Sequence, residues 1–291
     1  MNSFKIWLTA SRPKTLLAAF VPVIVGGSLA MADAKFDLSV TFVALLCAIL
    51  IQMGTNFTND LYDTLKGADT KERVGPLRVI AAGLVTVPQM KAAIIITFGL
   101  AFFFGLYIVN IHGLPILMLG IVSIIAGLMY TAGPFPLAYN GLGDLFVFLF
   151  FGFAGTTGTY YINTGEISLL SIITGFPVGA LITNILVVNN YRDIQQDKLA
   201  GKNTLAVIFG EKFALYEYVT FVAFSFIVPL IIYLSYDVSL WIFLPYLTLP
   251  FAYKILIMLF TMKGEQLNKA LELTAKLSLF FGVLLSLGFI L

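Results

Sequence analysis

The chain has 291 residues, of which 59% are hydrophobic and 11% charged, and its mean hydropathy is +0.97. These fractions exclude an ordinary soluble domain and describe an integral membrane protein, read here as one unit over residues 1–291. A net charge of +2 makes no case for a nucleic acid partner, while a single Cys and a single His rule out an internal disulfide and a His-based metal centre.

Lys5, Arg12 and Lys14 precede the first apolar run. That run has no small-residue cleavage pattern and is expected to remain in the mature protein. Crossing a bilayer takes roughly 20 mostly apolar residues. Nine segments qualify: 15–32, 40–62, 90–109, 114–131, 142–162, 168–190, 213–234, 239–261 and 271–290. Lipid gives backbone groups no other partner, so continuous helices are expected and the fold class is all-α and polytopic. Pro88 and Pro115 fall in first turns, where a missing N–H costs nothing, whereas Pro177, Pro245 and Pro250 fall inside segments and predict kinks.

The second segment closes on Asn59-Asp60-Leu61-Tyr62-Asp63 and the sixth on Asn189-Asn190-Tyr191-Arg192-Asp193, so Asn-x-x-x-Asp occurs twice. Ionisable residues beside hydrocarbon are expensive and usually mark a site. On a helix, positions three or four apart share a face, so Asn56, Asn59, Asp60 and Asp63 form one polar stripe, and Asn189, Asp193 and Asp197 another. Oxygen-only sets suit hard cations. Mg²⁺ in particular is bound through one or two carboxylates together with water and substrate phosphates.

The loop of about 26 residues between the second and third segments carries Asp69, Lys71, Arg73 and Arg78. Guanidinium forks match phosphate oxygens, and Lys202 adds a charge beyond the sixth segment. Together these residues point to a diphosphate bridged to two Asp clusters by Mg²⁺ beneath a basic loop. Tyr130, Tyr139, Tyr160 and Tyr161 lie near segment ends, where their rings could line a cavity and shield a carbocation. Sixteen of the 17 Lys and Arg fall on one side of the segments, with Lys35 opposite. The positive-inside rule then makes the N-terminus and both acidic motifs cytoplasmic and the C-terminus external, in a multi-pass cell-membrane protein. Both motif-bearing segments run inward, four segments apart, which suggests two parallel and weakly similar halves.

Further runs add to the pattern: Ser11-Arg12-Pro13-Lys14-Thr15-Leu16, Lys66-Gly67-Ala68-Asp69-Thr70, Gly75-Pro76-Leu77-Arg78, Tyr130-Thr131-Ala132-Gly133-Pro134-Phe135-Pro136-Leu137-Ala138-Tyr139 and Gly201-Lys202-Asn203-Thr204-Leu205. With the two Asp motifs, they make the chain resemble the UbiA superfamily of intramembrane prenyltransferases, and within it the branch acting on 1,4-dihydroxy-2-naphthoate. The resemblance implies about nine transmembrane helices around a central cavity open to the membrane lipid. It also implies Mg²⁺-dependent transfer of a polyprenyl group from polyprenyl diphosphate to 1,4-dihydroxy-2-naphthoate with loss of CO₂.

By the same resemblance Asn59, Asp63, Asn189, Asp193 and Asp197 match the family's metal and diphosphate motifs, with Asp63, Asp193 and Asp197 as the catalytic carboxylates. Asp69 is a further metal candidate, while Asp60, Arg73, Arg78, Tyr130, Tyr139, Arg192 and Lys202 complete the expected substrate-binding set. In the broader superfamily the first motif has a third acidic position; here Gly67 occupies it, and Asp69 follows two residues later. Leu137 and Ala138 stand where related 4-hydroxybenzoate enzymes carry a basic residue. Two alternatives stay open: a different aromatic acceptor, and a cation-coupled transporter, for which carboxylates at the membrane midplane would be expected.

Overall fold

The structure is a computed structural model that describes residues 2–68, 75 and 77–291. The described residues are helical throughout their apolar segments. A short helix α1 (Ser3–Ser11) leads into α2 (Pro13–Ala32), followed by α3 (Leu38–Leu65), α4 (Val87–His112) and α5 (Leu114–Met129). Next come α6 (Gly143–Val147), a π-helix (Phe148–Thr157) and α7 (Gly158–Thr164), which together make the fifth crossing. Then follow α8 (Leu169–Leu199), α9 (Leu205–Phe209), α10 (Glu211–Ser235), a 3₁₀ stretch (Leu240–Thr248) running into α11 (Leu249–Thr261), and α12 (Leu267–Ile290). Among the described residues eight stretches are long and apolar enough to cross a membrane, and α5, with 16 residues, is a shorter apolar helix. At 1.5 Å per residue α5 spans about 24 Å, less than the roughly 30 Å hydrocarbon core.

Uninterrupted helices were expected in every segment, and two segments depart from this. The fifth crossing switches from α to π geometry for ten residues, and the eighth begins as nine residues of 3₁₀ helix containing Pro245. Pro250 lies in the first turn of α11, where its missing N–H is harmless, and Pro177 sits within the single helix α8.

The reason for the close approach around the π-helix lies in its glycines. A Cβ on Gly152 would stand 2.8 Å from the Gly175 carbonyl oxygen, and one on Gly175 would stand 2.6 Å from that of Gly152. Gly179 likewise meets the Phe148 carbonyl. Backbone therefore packs on backbone, as small residues allow where lipid supplies no hydrophobic drive between helices.

The main apolar core joins α2, α8, α10, α11 and α12, with Tyr218, Leu181, Ile255, Leu277 and Phe281 fully enclosed. A second core ties α1, α3 and α4 together through Ala10, Phe57, Leu61, Met90, Ile94 and Phe98. Val79 and Val85 of the loop after α3 plug into this second core. That plug fixes the loop carrying Arg78 against the end of α3.

Candidate active site

The first motif occupies the last two turns of α3. Asp60 and Asp63 are both about 1% exposed but are engaged differently. The Asp60 carboxylate accepts the backbone N–H groups of Val79 at 3.2 Å and Ile80 at 3.3 Å, which pins the loop. Asp63 accepts Arg78 Nη2 at 2.9 Å on one oxygen and the Tyr139 hydroxyl at 2.9 Å on the other. Asn59 Oδ1 accepts Arg12 Nη2 at 2.9 Å. One turn earlier, the Asn56 amide donates to the Ser11 carbonyl at 2.9 Å and to the Thr15 hydroxyl at 3.1 Å, tying α3 to the start of α2.

The second motif lies near the end of α8. Arg192 grips the adjacent Asp193 with both faces of its fork, Nε to Oδ1 at 2.7 Å and Nη2 to Oδ2 at 2.6 Å. Its Nη2 also donates to Asn189 Oδ1 at 2.8 Å. One turn on, Asp197 lies 3.7 Å from Lys202 Nζ, and the chain turns back there through the Lys202 N–H to the Asp197 carbonyl at 2.8 Å.

These ends meet at one cavity of about 420 Å³. Arg12, Asn59, Asp63, Arg78, Asn189, Asp193, Asp197 and Lys202 line its polar end, and Tyr130 stands beside them. The remaining lining is mostly apolar, with Phe102, Leu106, Phe150, Ile182, Val109 and Ile162 in it, but also holds Gln52, Thr55 and Asn56. The loop after α5 and the loop after α8 touch at the polar end, where the Asn203 N–H donates to the Tyr139 carbonyl at 3.1 Å. The Tyr139 ring carries Lys66 Nζ 4.2 Å from its centroid and Lys202 Nζ 5.8 Å away, within cation–π range. Burial pushes the Lys66 ammonium below its ordinary pKa, and the Asp63 charge opposes that shift.

The expected set is thus gathered with distinctions. Asp60 and Arg192 are not among the cavity-lining residues; one anchors the Arg78 loop and the other holds Asp193 and Asn189. Tyr139 acts on Asp63 rather than forming cavity wall. Tyr160 turns away, its hydroxyl donating to Asp33 at 2.5 Å. Asp69 and Arg73 lie outside the described residues.

Arg12 escaped the sequence reading. It looks like one more basic residue ahead of a span, yet its backbone sits in the left-handed region at φ 53° and ψ 69° between α1 and α2. Such a conformation is costly for a side chain bearing a Cβ and is typically retained where a site needs it. Here it turns the guanidinium towards Asn59 and the cavity.

Whether a divalent cation fits can be tested on the donors. Among the described residues no group of three or more carboxylate, His or Cys side chains forms a ready cage. The ligand atoms the motifs offer are all oxygens, and a carboxylate oxygen that accepts one hydrogen bond keeps a second lone pair. That suits Mg²⁺, which is held by one or two carboxylates plus substrate phosphates. The carboxylates also stand towards the ends of α3 and α8 rather than at their middles, unlike the midplane carboxylates expected of a transporter.

A model of the UbiA prenyltransferase family matches residues 19–284. The chain belongs to the UbiA prenyltransferase family. It is 42% identical over 211 residues to the 1,4-dihydroxy-2-naphthoate octaprenyltransferase of Escherichia coli (strain K12), covering 70% of this chain and 68% of that one. To the enzyme of the same name from Haemophilus influenzae it is 35% identical over 300 aligned positions, covering 99% and 96% of the two chains. Among solved structures it resembles a UbiA homolog from Archaeoglobus fulgidus bound to DMAPP and Mg²⁺, with a TM-score of 0.68 at 19% identity over 96% of this chain and 99% of the other. That likeness shows the UbiA fold, an all-α bundle of membrane-crossing helices.

Proposed function

We propose that this UbiA-family enzyme transfers a polyprenyl group from polyprenyl diphosphate to 1,4-dihydroxy-2-naphthoate, with loss of CO₂, to give demethylmenaquinol in menaquinone biosynthesis. The observation that carries the acceptor is the similarity to naphthoate octaprenyltransferases from several bacteria, reaching 42% identity. Prenyl transfer itself is supported by the joining of two acidic motifs and three basic side chains in one largely apolar cavity.

Asn59, Asp63, Asn189, Asp193 and Asp197 are the residues that would hold Mg²⁺ together with the diphosphate. When bound, the ion neutralises charge on the leaving diphosphate. Arg12, Arg78 and Lys202 reach the same end of the cavity and stabilise the charge that builds on the diphosphate oxygens as the allylic C–O bond breaks. The isoprenoid chain occupies the apolar length of the cavity, where Phe102, Leu106 and Phe150 exclude water from the allylic cation. The naphthoate ring, made electron-rich by its hydroxyls, attacks that cation; the ring carboxylate then leaves as CO₂ and its bonding electrons restore aromaticity. Tyr130, facing the cavity beside the carboxylates, is placed to orient a ring hydroxyl.

The N-terminus and both motifs face the cytoplasm and the C-terminus lies outside, following the distribution of Lys and Arg. Purified protein given Mg²⁺, a prenyl diphosphate and 1,4-dihydroxy-2-naphthoate should release CO₂ and form a prenylated naphthoquinol. Absence of product from this mixture, with product from another aromatic acid, would move the assignment to another acceptor within the family.

A further inference from the structure

We propose that Asn268, in the first turn of α12, is a positioning residue for the second acidic motif and acts through Arg192. The inference rests on the reading that Asn189 and Asp193 serve a Mg²⁺-diphosphate.

The Arg192 side chain is enclosed, with 0% of its surface exposed, so its N–H groups must find protein partners. Nε and Nη2 face Asp193, and Nη2 also meets Asn189. The remaining edge of the fork, Nη1, donates to Asn268 Oδ1 at 2.7 Å. A guanidinium is planar and rigid. Holding Nη1 therefore fixes the plane in which the other two nitrogens present their bonds, and with it the directions in which Asp193 and Asn189 turn their remaining lone pairs towards the cavity.

Without Asn268, an Arg beside a cavity built for an anion has a second option. It can swing off Asp193 and pair with the phosphate itself, leaving the carboxylate unheld. Asn268 keeps the fork behind the motif instead. The residue is well placed for this, since α12 approaches the site at that turn and Leu271, one turn further, lines the cavity. The ninth span thereby sets the geometry of a motif carried on the sixth. Partners of metal-ligand side chains typically change metal affinity by about 10–100-fold when removed.

The test measures binding without turnover. Inorganic pyrophosphate is titrated calorimetrically into the purified full-length protein with Mg²⁺ present, and steady-state KM values are measured in parallel for both substrates. Asn268→Leu, which keeps the volume and removes the acceptor, should weaken Mg²⁺-dependent pyrophosphate binding by about 10–100-fold and raise the KM for prenyl diphosphate, while the KM for 1,4-dihydroxy-2-naphthoate stays at its wild-type value. Asn268→Asp, which restores an acceptor oxygen to Nη1, should recover the binding. Asn268→Ala carries the same expectation as the Leu variant should the latter not fold. Pyrophosphate affinity unchanged in a folded Leu or Ala variant, equal losses for both substrates, or no rescue by Asp would overturn the role. If wild-type protein itself binds no pyrophosphate with Mg²⁺, the reading of the site falls and this inference falls with it.

Discussion

Asp60 and Asp63 lie one turn apart on the same helix and are equally enclosed, yet they perform different tasks. Asp60 accepts two loop amides, and charge-assisted bonds of that kind are worth about 1.5–3 kcal/mol each. Asp60→Ala should therefore show first as a lower melting temperature, with activity lost as the Arg78 loop loosens. Asp63→Asn keeps one oxygen for Arg78 and turns an NH₂ donor to the Tyr139 hydroxyl, but loses the carboxylate charge, so turnover should fall by orders of magnitude while the protein stays folded. Turnover and thermal unfolding in detergent, measured on both variants, separate the roles; near wild-type turnover in Asp63→Asn would sink its assignment. The carboxylates were legible in the sequence because charge in an apolar run stands out. Arg12 was not, because nothing about a basic residue ahead of a span distinguishes a topology signal from a site residue; only its left-handed backbone and its reach to Asn59 do so. Asn268 gave no signal either, since its role depends on a helix that meets α8 only in three dimensions.

At the level of elements, apolar length marked all eight stretches long enough to cross and the shorter apolar helix α5, because lipid leaves backbone groups no partner outside a helix. The same uniformity hid the π-helix. An apolar run reads alike whether its hydrogen bonds close over four residues or five, and π-helical turns tend to occur at functional sites. Phe150 and Gly155 of this stretch line the cavity, while Gly152 presses on α8. Gly152→Ala or Gly175→Ala would drive a methyl group into a carbonyl at under 3 Å and should abolish accumulation of folded protein. Gly99→Ala, in the interior of α4 with nothing near its would-be Cβ, should fold as well as wild type or slightly better. Fluorescence-detected size-exclusion chromatography compares the three directly. A monodisperse, active Gly152→Ala protein would contradict the backbone-to-backbone packing.

For the molecule as a whole, the membrane class followed from composition, and the family match over residues 19–284 agrees with it; the two acidic motifs were marked by their spacing alone. Which residues meet the acceptor was not legible, because the cavity wall draws on α2, α3, α4, α5, α8 and the π-helix, and no short run of sequence records that assembly. Orientation is open to a separate experiment. With Cys47 replaced by Ala, a cysteine at the exposed Lys198 should react with an impermeant maleimide only from the cytoplasmic face, and one at the exposed Asp237 only from outside. The reverse pattern would overturn the topology.

The central claim is that the cavity joins a prenyl diphosphate to a two-ring acid. On the proposed function the Asp motifs and their basic partners would grip the diphosphate of any donor, and acceptor choice would fall to the rest of the cavity wall, Tyr130 included. A second ring adds apolar area worth roughly 25 cal/mol per Å² buried, which a single-ring acid cannot supply. The most direct measurement offers purified protein one prenyl diphosphate and Mg²⁺ with 1,4-dihydroxy-2-naphthoate, 4-hydroxybenzoate or homogentisate, and follows released CO₂ and prenylated product. The account predicts CO₂ and a prenylated naphthoquinol from the naphthoate with little product from the other two; preferential prenylation of either single-ring acid would contradict it.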